Sequence, residues 1–317
     1  MKILFMGTPD FAAVCLDALL SSGKEVAAVV TQPDKRQGRG MKVAFNDVKQ
    51  YALAHDIPVF QPETLRDEAL LPLLEQIQPE VIAVVAYGKI LPPYVLHFPK
   101  YGCINVHGSL LPKYRGAAPI QRAVMNGEAV TGITTMRMDE GMDTGDMLLT
   151  EQLAVGETVT AGELFDTLAP VGGRLLVQTL DALEAGTLTP TPQPHALATY
   201  ADKITNEECL VDFSAPAREV HNKIRGLSPF PGAFAYLDGK VVKLYESRVG
   251  SESGSCAAPG TVLSASAAQG VQVVCGSGTV FLGRFKPEGK GMLSAADMIN
   301  GRKLAQGSRF CLQKEER

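Results

Sequence analysis

A short run of the chain, residues 105–112, places an asparagine and a histidine two positions apart. It reads Asn-Val-His-Gly-Ser-Leu-Leu-Pro, and the residues before it, Gly102-Cys103-Ile104, are typical of a short buried strand. Because residues two apart on a strand project from the same face, Asn105 and His107 are predicted to lie side by side. The glycine, serine and proline that follow end the strand, and ligands bind at such carboxyl ends in open parallel sheets. Asparagine can donate a hydrogen bond to an oxyanion and histidine can accept a proton, as a tetrahedral intermediate of acyl transfer requires.

An acidic loop at 139–146 favours this functional interpretation over a structural one. A single buried histidine is usually a hydrogen-bonded core residue, and a single asparagine at a strand end is usually a cap. The loop reads Asp-Glu-Gly-Met-Asp-Thr-Gly-Asp and follows a strand-like run at 132–138. One of its aspartates beside His107 would fix the histidine tautomer and stabilise its charged form. These residues alone do not choose among Asp139, Asp143 and Asp146.

Two alternatives for the acidic loop are a calcium site and a simple hairpin turn. The carboxylates lack the regular odd-position spacing of an EF-hand loop and its bidentate glutamate at the twelfth position, so a calcium loop is excluded. A plain hairpin between 131–138 and 147–153 stays open as an alternative.

Strands and helices alternate along the first part of the chain, which predicts a parallel sheet with helices on both faces. At the first turn, Thr8 is the predicted N-cap of a helix and Pro9 its first-turn residue. The glycines of a dinucleotide-binding fingerprint are missing there. A helix is predicted over 160–185, with an interruption at Pro170 and Gly172-Gly173 as an alternative. The predicted strands are 2–6, 25–30, 58–60 and 81–86, and the predicted helices between them are 11–20, 44–55 and 67–77.

The last third of the chain has the pattern of a small β-domain. Residues 186–199, rich in threonine and proline, are predicted to form an extended, semi-stiff linker. Asp238-Gly239 between two strand-like runs predicts a hairpin. Five short strands favour an OB-like barrel, with a small sandwich as the alternative. The predicted fold class is therefore α/β. The chain is predicted to consist of a Rossmann-like, mostly parallel sheet domain (1–189), a linker (190–204) and a smaller OB-like β-barrel domain (205–317).

Composition is compatible with a two-domain protein of 317 residues, 45% of them hydrophobic. No apolar run approaches a membrane span, and no leader-like segment opens the chain. The six cysteines and five histidines are scattered, which predicts reduced thiols of the cytoplasm and no metal site. Residues 1–204 carry a net charge of −7 and residues 205–317 a net charge of +3. This modest asymmetry permits a contact between the second domain and RNA.

Several motifs together resemble the methionyl-tRNA formyltransferases. The Asn-x-His pair with a later aspartate is shared by the wider folate-dependent formyltransferase superfamily. The Gly-Thr-Pro-Asp-Phe opening and the Arg-Gly-Ala-Ala-Pro-Ile-Gln run point more narrowly to the tRNA enzymes. The resemblance covers nearly the whole chain and rests on residues 5–12, 31–34, 38–40, 85–88, 105–112, 115–121 and 138–146, and more loosely on 229–233 and 259–261.

This resemblance implies formyl transfer from 10-formyltetrahydrofolate to the α-amino group of methionyl initiator tRNA, by a cytoplasmic monomer without a metal. It implies Asn105, His107 and Asp143 as the catalytic residues. It also implies Arg39 as the principal tRNA contact, in a basic loop at 34–43 that composition alone would make an ordinary surface loop. The implied folate-binding residues are Tyr87, Gly88, Ile90, Ser109, Leu110, Leu111, Pro112, Met138 and Asp139. The implied tRNA-binding residues are Lys35, Arg36, Arg39, Lys42 and Arg225.

Three other functions are alternatives to this one. The first keeps the chemistry with a small amine as acceptor, a sugar nucleotide or glycinamide ribonucleotide, and the second is a formyltetrahydrofolate hydrolase. The second domain and the basic loop disfavour a small acceptor. The third, a non-catalytic RNA-binding module, leaves Asn105, His107 and Asp143 without a role.

Overall fold

The structure is a computed structural model that describes residues 1–37, 42–253 and 256–313. The chain forms two compact units. The first unit consists of Met1–Pro119, Thr131–Leu153 and Phe165–Asp202, and the second of Ile120–Val130, Ala154–Leu164 and Lys203–Arg317. The domain boundaries at 189 and 205 stay a prediction. Within the described ranges, no helix has the length and apolar character needed to cross a membrane.

The elements up to residue 184 are β1 (Lys2–Gly7), α1 (Asp10–Ser21), β2 (Glu25–Val30), β3 (Lys35–Gln37), β4 (Lys42–Ala44), α2 (Asp47–Ala54), β5 (Val59–Phe60), α3 (Leu71–Ile77), β6 (Val81–Val85), α4 (Pro93–Leu96), β7 (Cys103–His107), α5 (Pro119–Met125), β8 (Val130–Arg137), β9 (Met147–Ala154) and α6 (Ala161–Glu184). The later elements are α7 (Ala217–Gly226), β10 (Phe234–Leu237), β11 (Lys240–Ser251), β12 (Val262–Ser266), β13 (Gly270–Val274), β14 (Thr279–Pro287), β15 (Leu293–Ser294), α8 (Ala295–Asn300) and β16 (Phe310–Cys311).

The first unit is built on a seven-stranded sheet in the order β5-β2-β1-β6-β7-β8-β9. The pairs from β5 to β7 are parallel, and β7 pairs with β8 in antiparallel register. Strand β6 is buried along its whole length and β1 nearly so, as expected for parallel strands covered on both faces. The predicted Rossmann-like, mostly parallel sheet is confirmed. Because β8 and β9 are neighbours, the hairpin at 131–153 also forms, and the acidic loop lies at its tip.

The start of helix α1 differs from the prediction. Its N-cap is Pro9, which makes no side-chain capping hydrogen bond, so the prediction of Thr8 as N-cap was wrong. The Thr8 hydroxyl lies 3.3 Å from the main-chain oxygen of Tyr87 and donates to it instead. This bond ties the turn after β1 to the turn after its parallel neighbour β6.

Helix α6 confirms the helix predicted over 160–185, and it runs through Pro170, Gly172 and Gly173 without the interruption that was the alternative. A Cβ atom at Gly173 would lie 2.8 Å from the Cβ of Ala18, and one at Gly172 would lie 3.2 Å from the ring of Phe11. A Cβ atom at Gly172 would also lie 3.0 Å from Val106 of β7, so the glycines serve close packing of α6 against α1 and β7, and tertiary contact outweighs their low helix propensity.

The threonine- and proline-rich segment from 190 onward lies along the first unit. Thr191 and Met147 exchange main-chain hydrogen bonds of 2.8 and 2.9 Å. Further on, the Arg115 amide donates to Thr199, and the Ala201 amide donates to Arg115. Gln193 and Ala201 are buried. Specific hydrogen bonds thus hold this segment, which is interrupted by a 3-10 turn at His195–Leu197 and is not extended throughout.

The second unit contains an antiparallel sheet in the order β12-β13-β14-β11-β10-β16, with β15 paired to β14. Thr261, ahead of β12, bridges to Arg309, ahead of β16, so the first and last strands of this order meet and the sheet curls. The β10–β11 hairpin turns at Asp238 and Gly239, both with positive φ (49° and 71°), as an Asp-Gly turn of this kind requires. The predicted small antiparallel, barrel-like domain is confirmed.

Candidate active site

Asn105 and His107 lie at the carboxyl end of β7, as their spacing predicts. Asn105 is in register with Val84 of the parallel strand β6, and His107 is opposite Thr134 of β8. His107 is 4% exposed, whereas Asn105 is half-buried. Within the described residues, no hydrogen bond engages the Asn105 side chain. Its amide is therefore available to a ligand at this edge of the sheet.

The two ring nitrogens of His107 face different partners. Nε2 lies 2.9 Å from the main-chain oxygen of Tyr114. Because a carbonyl oxygen only accepts, Nε2 must carry a hydrogen. Nδ1 lies 3.6 Å from Oδ2 of Asp143, which allows a charge interaction without a full hydrogen bond. Nδ1 is therefore the ring nitrogen that can exchange a proton with a ligand.

Of the three candidate aspartates, Asp143 is the one beside His107. Its Oδ2 also accepts a hydrogen bond of 2.8 Å from the Gly116 amide, which fixes the carboxylate. Asp139 is exposed and accepts hydrogen bonds from the Gly141 amide and the Thr144 hydroxyl within its own loop. The structure thus places Asp143 beside His107, whereas the composition of the loop left open which of the three aspartates lies there.

The tight turn of the acidic loop depends on its glycines. A Cβ atom at Gly145 would lie 1.9 Å from the main-chain oxygen of Arg137, and one at Gly141 would lie 2.0 Å from Oγ1 of Thr144. Asp143 itself has a φ of 52°, in the left-handed region. This backbone conformation costs free energy and is held here by the surrounding contacts.

Sequence reasoning missed three groups that hold the candidate catalytic side chains. The Tyr114 carbonyl and the Gly116 amide are main-chain atoms, which no side-chain pattern can identify. The third is Gln193, whose amide donates to the main-chain oxygens of Asp143 (2.8 Å) and Gly145 (2.7 Å). It belongs to a segment whose composition indicated only an extended chain.

The predicted folate-binding residues differ widely in exposure. Gly88 and Asp139 are exposed, Ile90 is 86% exposed, and Leu110, Pro112 and Met138 are half-buried. Tyr87 and Leu111 are buried, and so is Ser109, whose hydroxyl donates to the main-chain oxygen of Lys113. Tyr87 and its neighbours follow the carboxyl end of β6, the same sheet edge at which Asn105 and His107 lie.

Tyr87 has an unusual side chain, since its hydroxyl is buried and has no hydrogen-bond partner in the described part of the chain. Burial raises the pKa of this phenol to about 12.

Met138 and Asp139 line a separate cavity of about 600 Å³ together with His97, Lys100, Tyr101 and Arg137. The assignment of these residues to folate stays a prediction.

Most of the predicted tRNA contacts lie on the hairpin of β3 and β4. Lys35 and Arg36 are in β3 and Lys42 is in β4, with Lys35 paired to Ala44. The turn of this hairpin, including Arg39, lies outside the described residues. The hairpin follows β2, so it leaves the sheet at the edge where β6 and β7 also end.

Arg225 requires a correction. It is 5% exposed, and its guanidinium donates to the main-chain oxygens of Gly156 and Val159 and to Oδ1 of Asn222. A guanidinium committed to three acceptors in this way is not presented to an RNA phosphate. The prediction of Arg225 as a tRNA contact was wrong, because these acceptors bury it within the second unit.

Replacing Arg225 with alanine should therefore destabilise the protein. Hydrogen bonds from a charged donor are lost and buried carbonyls are left unpaired, so we expect a loss of about 2–4 kcal/mol in the free energy of unfolding. Denaturant unfolding measures it. The control is Arg218→Ala on the same helix, where an exposed arginine pairs with Glu157 and Glu252 and a loss below about 1 kcal/mol is expected. Equal stability of the two variants would contradict this role for Arg225.

Comparison with known proteins agrees with the fold. Residues 1–180 match the family model described as formyl transferase, and residues 203–303 match its C-terminal domain. A methionyl-tRNA formyltransferase of Pelotomaculum thermopropionicum is 49% identical over 307 residues, which are 97% of each chain.

Two solved structures share the fold at lower identity. HypX from Aquifex aeolicus, in complex with tetrahydrofolic acid, aligns with a TM-score of 0.63 and 18% identity over 94% of this chain and 47% of that one. WlaRD, a sugar 3N-formyl transferase, aligns with a TM-score of 0.64 and 19% identity over 92% of this chain and 99% of that one. The family models and the full-length relative together show that this chain belongs to the formyl transferase family, among the methionyl-tRNA formyltransferases.

Proposed function

We propose that this protein transfers the formyl group of 10-formyltetrahydrofolate to the α-amino group of methionine esterified to initiator tRNA. The observation that carries the proposal is the cluster of Asn105, His107 and Asp143 at the end of β7 in a chain of this family. A non-catalytic RNA-binding module would not need such a cluster. That the protein acts as a monomer in the cytoplasm stays a prediction.

The arrangement of His107 indicates how the reaction would be assisted. Its Nε2 hydrogen is held by the Tyr114 carbonyl, so a second hydrogen on Nδ1 faces both Asp143 and the site. Asn105 and Nδ1 of His107 would then donate to the oxygen of the formyl carbon as the amine attacks it and charge develops there. Asp143 balances the charge of the imidazolium.

Proton balance gives His107 a second task. The attacking amine must be neutral, and it loses a proton as the new carbon–nitrogen bond forms. The bond between the formyl carbon and N10 of the folate breaks, and N10 gains a proton. The Nδ1–Asp143 pair can pass a proton between these nitrogens, since it is the one exchangeable position on the ring.

A folate donor fits the side chains at this edge of the sheet. The highly exposed Ile90 and the half-buried Leu110 are apolar surfaces that a flat pterin ring can cover. The buried hydroxyl of Tyr87 makes no hydrogen bond to any described residue. In addition, the HypX structure is a complex with tetrahydrofolic acid, and the WlaRD structure was solved in the presence of 5-N-formyl-THF.

The decisive experiment compares acceptors for the same formyl donor. We expect methionyl initiator tRNA to be formylated with 10-formyltetrahydrofolate, and an aminated sugar nucleotide, glycinamide ribonucleotide or water to be poor acceptors. Each product can be followed with a labelled formyl group. Efficient transfer to a small amine, or release of formate without an acceptor, would contradict the proposal and select one of the alternatives.

Replacing Arg39 with alanine should weaken the use of tRNA more than the use of folate. A guanidinium can bind phosphate in a bidentate, charge-assisted way, so we expect kcat/KM for tRNA to fall roughly 10- to 100-fold. Steady-state kinetics with each substrate varied separately measure the difference. Arg66→Ala is the matched control, since it removes an exposed arginine of the first unit. An equal effect of Arg39→Ala on both substrates would favour the ordinary surface loop.

A further inference from the structure

Gln193 connects the acidic loop to a buried arginine. Its Nε2 donates to the main-chain oxygens of Asp143 and Gly145, which enclose the turn that carries the Asp143 carboxylate. Its Oε1 accepts from both Nε (3.0 Å) and Nη2 (2.7 Å) of Arg115. Gln193 is 4% exposed, so water does not compete for these bonds. All four bonds lie within the first unit.

Arg115 is fully buried in an unusual environment. It is 2% exposed, and among the described residues no carboxylate pairs with it. Its side-chain partners are the Gln193 oxygen and Nδ1 of His195, both neutral acceptors. A buried cation polarises the amide that accepts from it, and this strengthens the bonds that the same amide donates. The charge of Arg115 thereby strengthens the hydrogen bonds that Gln193 donates to the loop of Asp143.

The same stretch of chain also holds the other side of the catalytic cluster. The hydroxyl of Thr199 accepts from the Tyr114 amide, and its carbonyl accepts from the Arg115 amide. These bonds fix the turn whose Tyr114 carbonyl binds His107 and whose Gly116 amide binds Asp143. Residues 193–199 therefore support both partners of the His107–Asp143 pair.

We propose that Gln193 is a positioning residue for Asp143 in formyl transfer, acting through the two hydrogen bonds that its amide donates to the loop. The inference rests on the proposed function, because it assumes that the Asp143 carboxylate assists catalysis. The role needs a side chain that accepts on one side and donates twice on the other, which glutamine provides. Glutamate has the same shape and accepts from Arg115, but it offers no hydrogen to the loop and places negative charge against two carbonyl oxygens.

Two variants separate positioning from stability. Gln193→Glu keeps a partner for Arg115 and gains a buried ion pair, whereas Gln193→Met removes every polar contact at a similar volume. We expect both to lower kcat by roughly 5- to 30-fold, the equivalent of one or two neutral hydrogen bonds, while KM for either substrate changes less than about twofold. Their melting temperatures should differ from each other, because only the glutamate pairs with Arg115. Gln178→Glu is the matched control on an exposed face of α6 and should keep wild-type kinetics.

A double-mutant cycle with Asp143→Asn tests whether Gln193 acts through Asp143. If it does, Gln193→Met should cost less than about threefold in kcat once Asp143 has been replaced. The full 5- to 30-fold loss in that background, or a wild-type kcat in either Gln193 variant, would overturn the inference. A wild-type protein that forms no formylmethionyl-tRNA would instead contradict the proposed function, so the two failures are distinguishable.

Discussion

His107→Ala should lower kcat for formyl transfer by about 10²–10⁴-fold, the usual contribution of a positioned acid–base group. The imidazole has Nε2 fixed on the Tyr114 carbonyl and Nδ1 directed at Asp143, so alanine removes the one group that links these partners. KM for tRNA should change little, because a ring that is 4% exposed contributes little contact area. Single-turnover kinetics with saturating substrates measure the loss in the chemical step.

Folding must be checked for this variant, because alanine leaves a small cavity and an unpaired Tyr114 carbonyl. His107→Gln fills the space and offers one amide hydrogen to that carbonyl, yet it cannot carry a proton between substrates. We expect it to be as inactive as the alanine variant with a melting temperature closer to wild type. His55→Ala, at the exposed end of α2, is the control for loss of a histidine. Substantial turnover by a folded His107→Gln would remove proton transfer from the role of His107.

The parts of this molecule that sequence predicts well are those fixed by short-range patterns. The two-residue spacing of Asn105 and His107 sets their common face on β7, whatever surrounds the strand. Asp238-Gly239 predicts its hairpin because both residues tolerate positive φ. In each case the determining interaction lies within a few residues, and the structure agrees with the prediction.

The parts that sequence could not supply depend on contacts between distant segments. Gln193 lies 50 residues from the loop that it holds. Its surroundings of threonine and proline indicate an extended chain but no partner. Arg225 is a second case in which distant contacts decide the outcome. A basic side chain on a helix is expected at the surface. Arg225 is buried because main-chain oxygens of residues 156 and 159 accept from it.

The choice of Asp143 shows how far motif and structure complement each other. Chemistry requires one carboxylate beside His107, and the loop offers three aspartates within eight residues. Gly145 leaves no room for a Cβ atom, and Asp143 adopts positive φ, so the loop has a single tight backbone course. That course directs the Asp143 carboxylate at the Gly116 amide and at His107, while Asp139 is used within the loop.

Asp143→Asn should fold normally and lower kcat by roughly 10²–10³-fold, as expected when the charge that stabilises a catalytic cation is lost. Asparagine has the same shape, and its Oδ1 can still accept from the Gly116 amide. The same oxygen faces Nδ1 of His107, because one carboxylate oxygen of the wild type, Oδ2, lies near both groups. This oxygen carries no negative charge to balance an imidazolium, while Nε2 keeps its hydrogen on the Tyr114 carbonyl. In the neutral ring Nδ1 carries no hydrogen, so it cannot donate to the developing oxyanion.

Asp146→Asn provides the matched control for this experiment. It removes a carboxylate from the same loop, and within the described residues that side chain has no hydrogen bond or ion pair. We expect its kcat to lie within about twofold of wild type, since a half-buried carboxylate without partners contributes little. Comparable losses in the two variants would mean that overall loop charge is what the reaction needs. A loss of kcat confined to Asp143→Asn, with unchanged KM for both substrates, would instead show that the reaction needs the charged oxygen that faces His107. Asp143→Asn removes the charge of that oxygen, whereas Asp146→Asn does not.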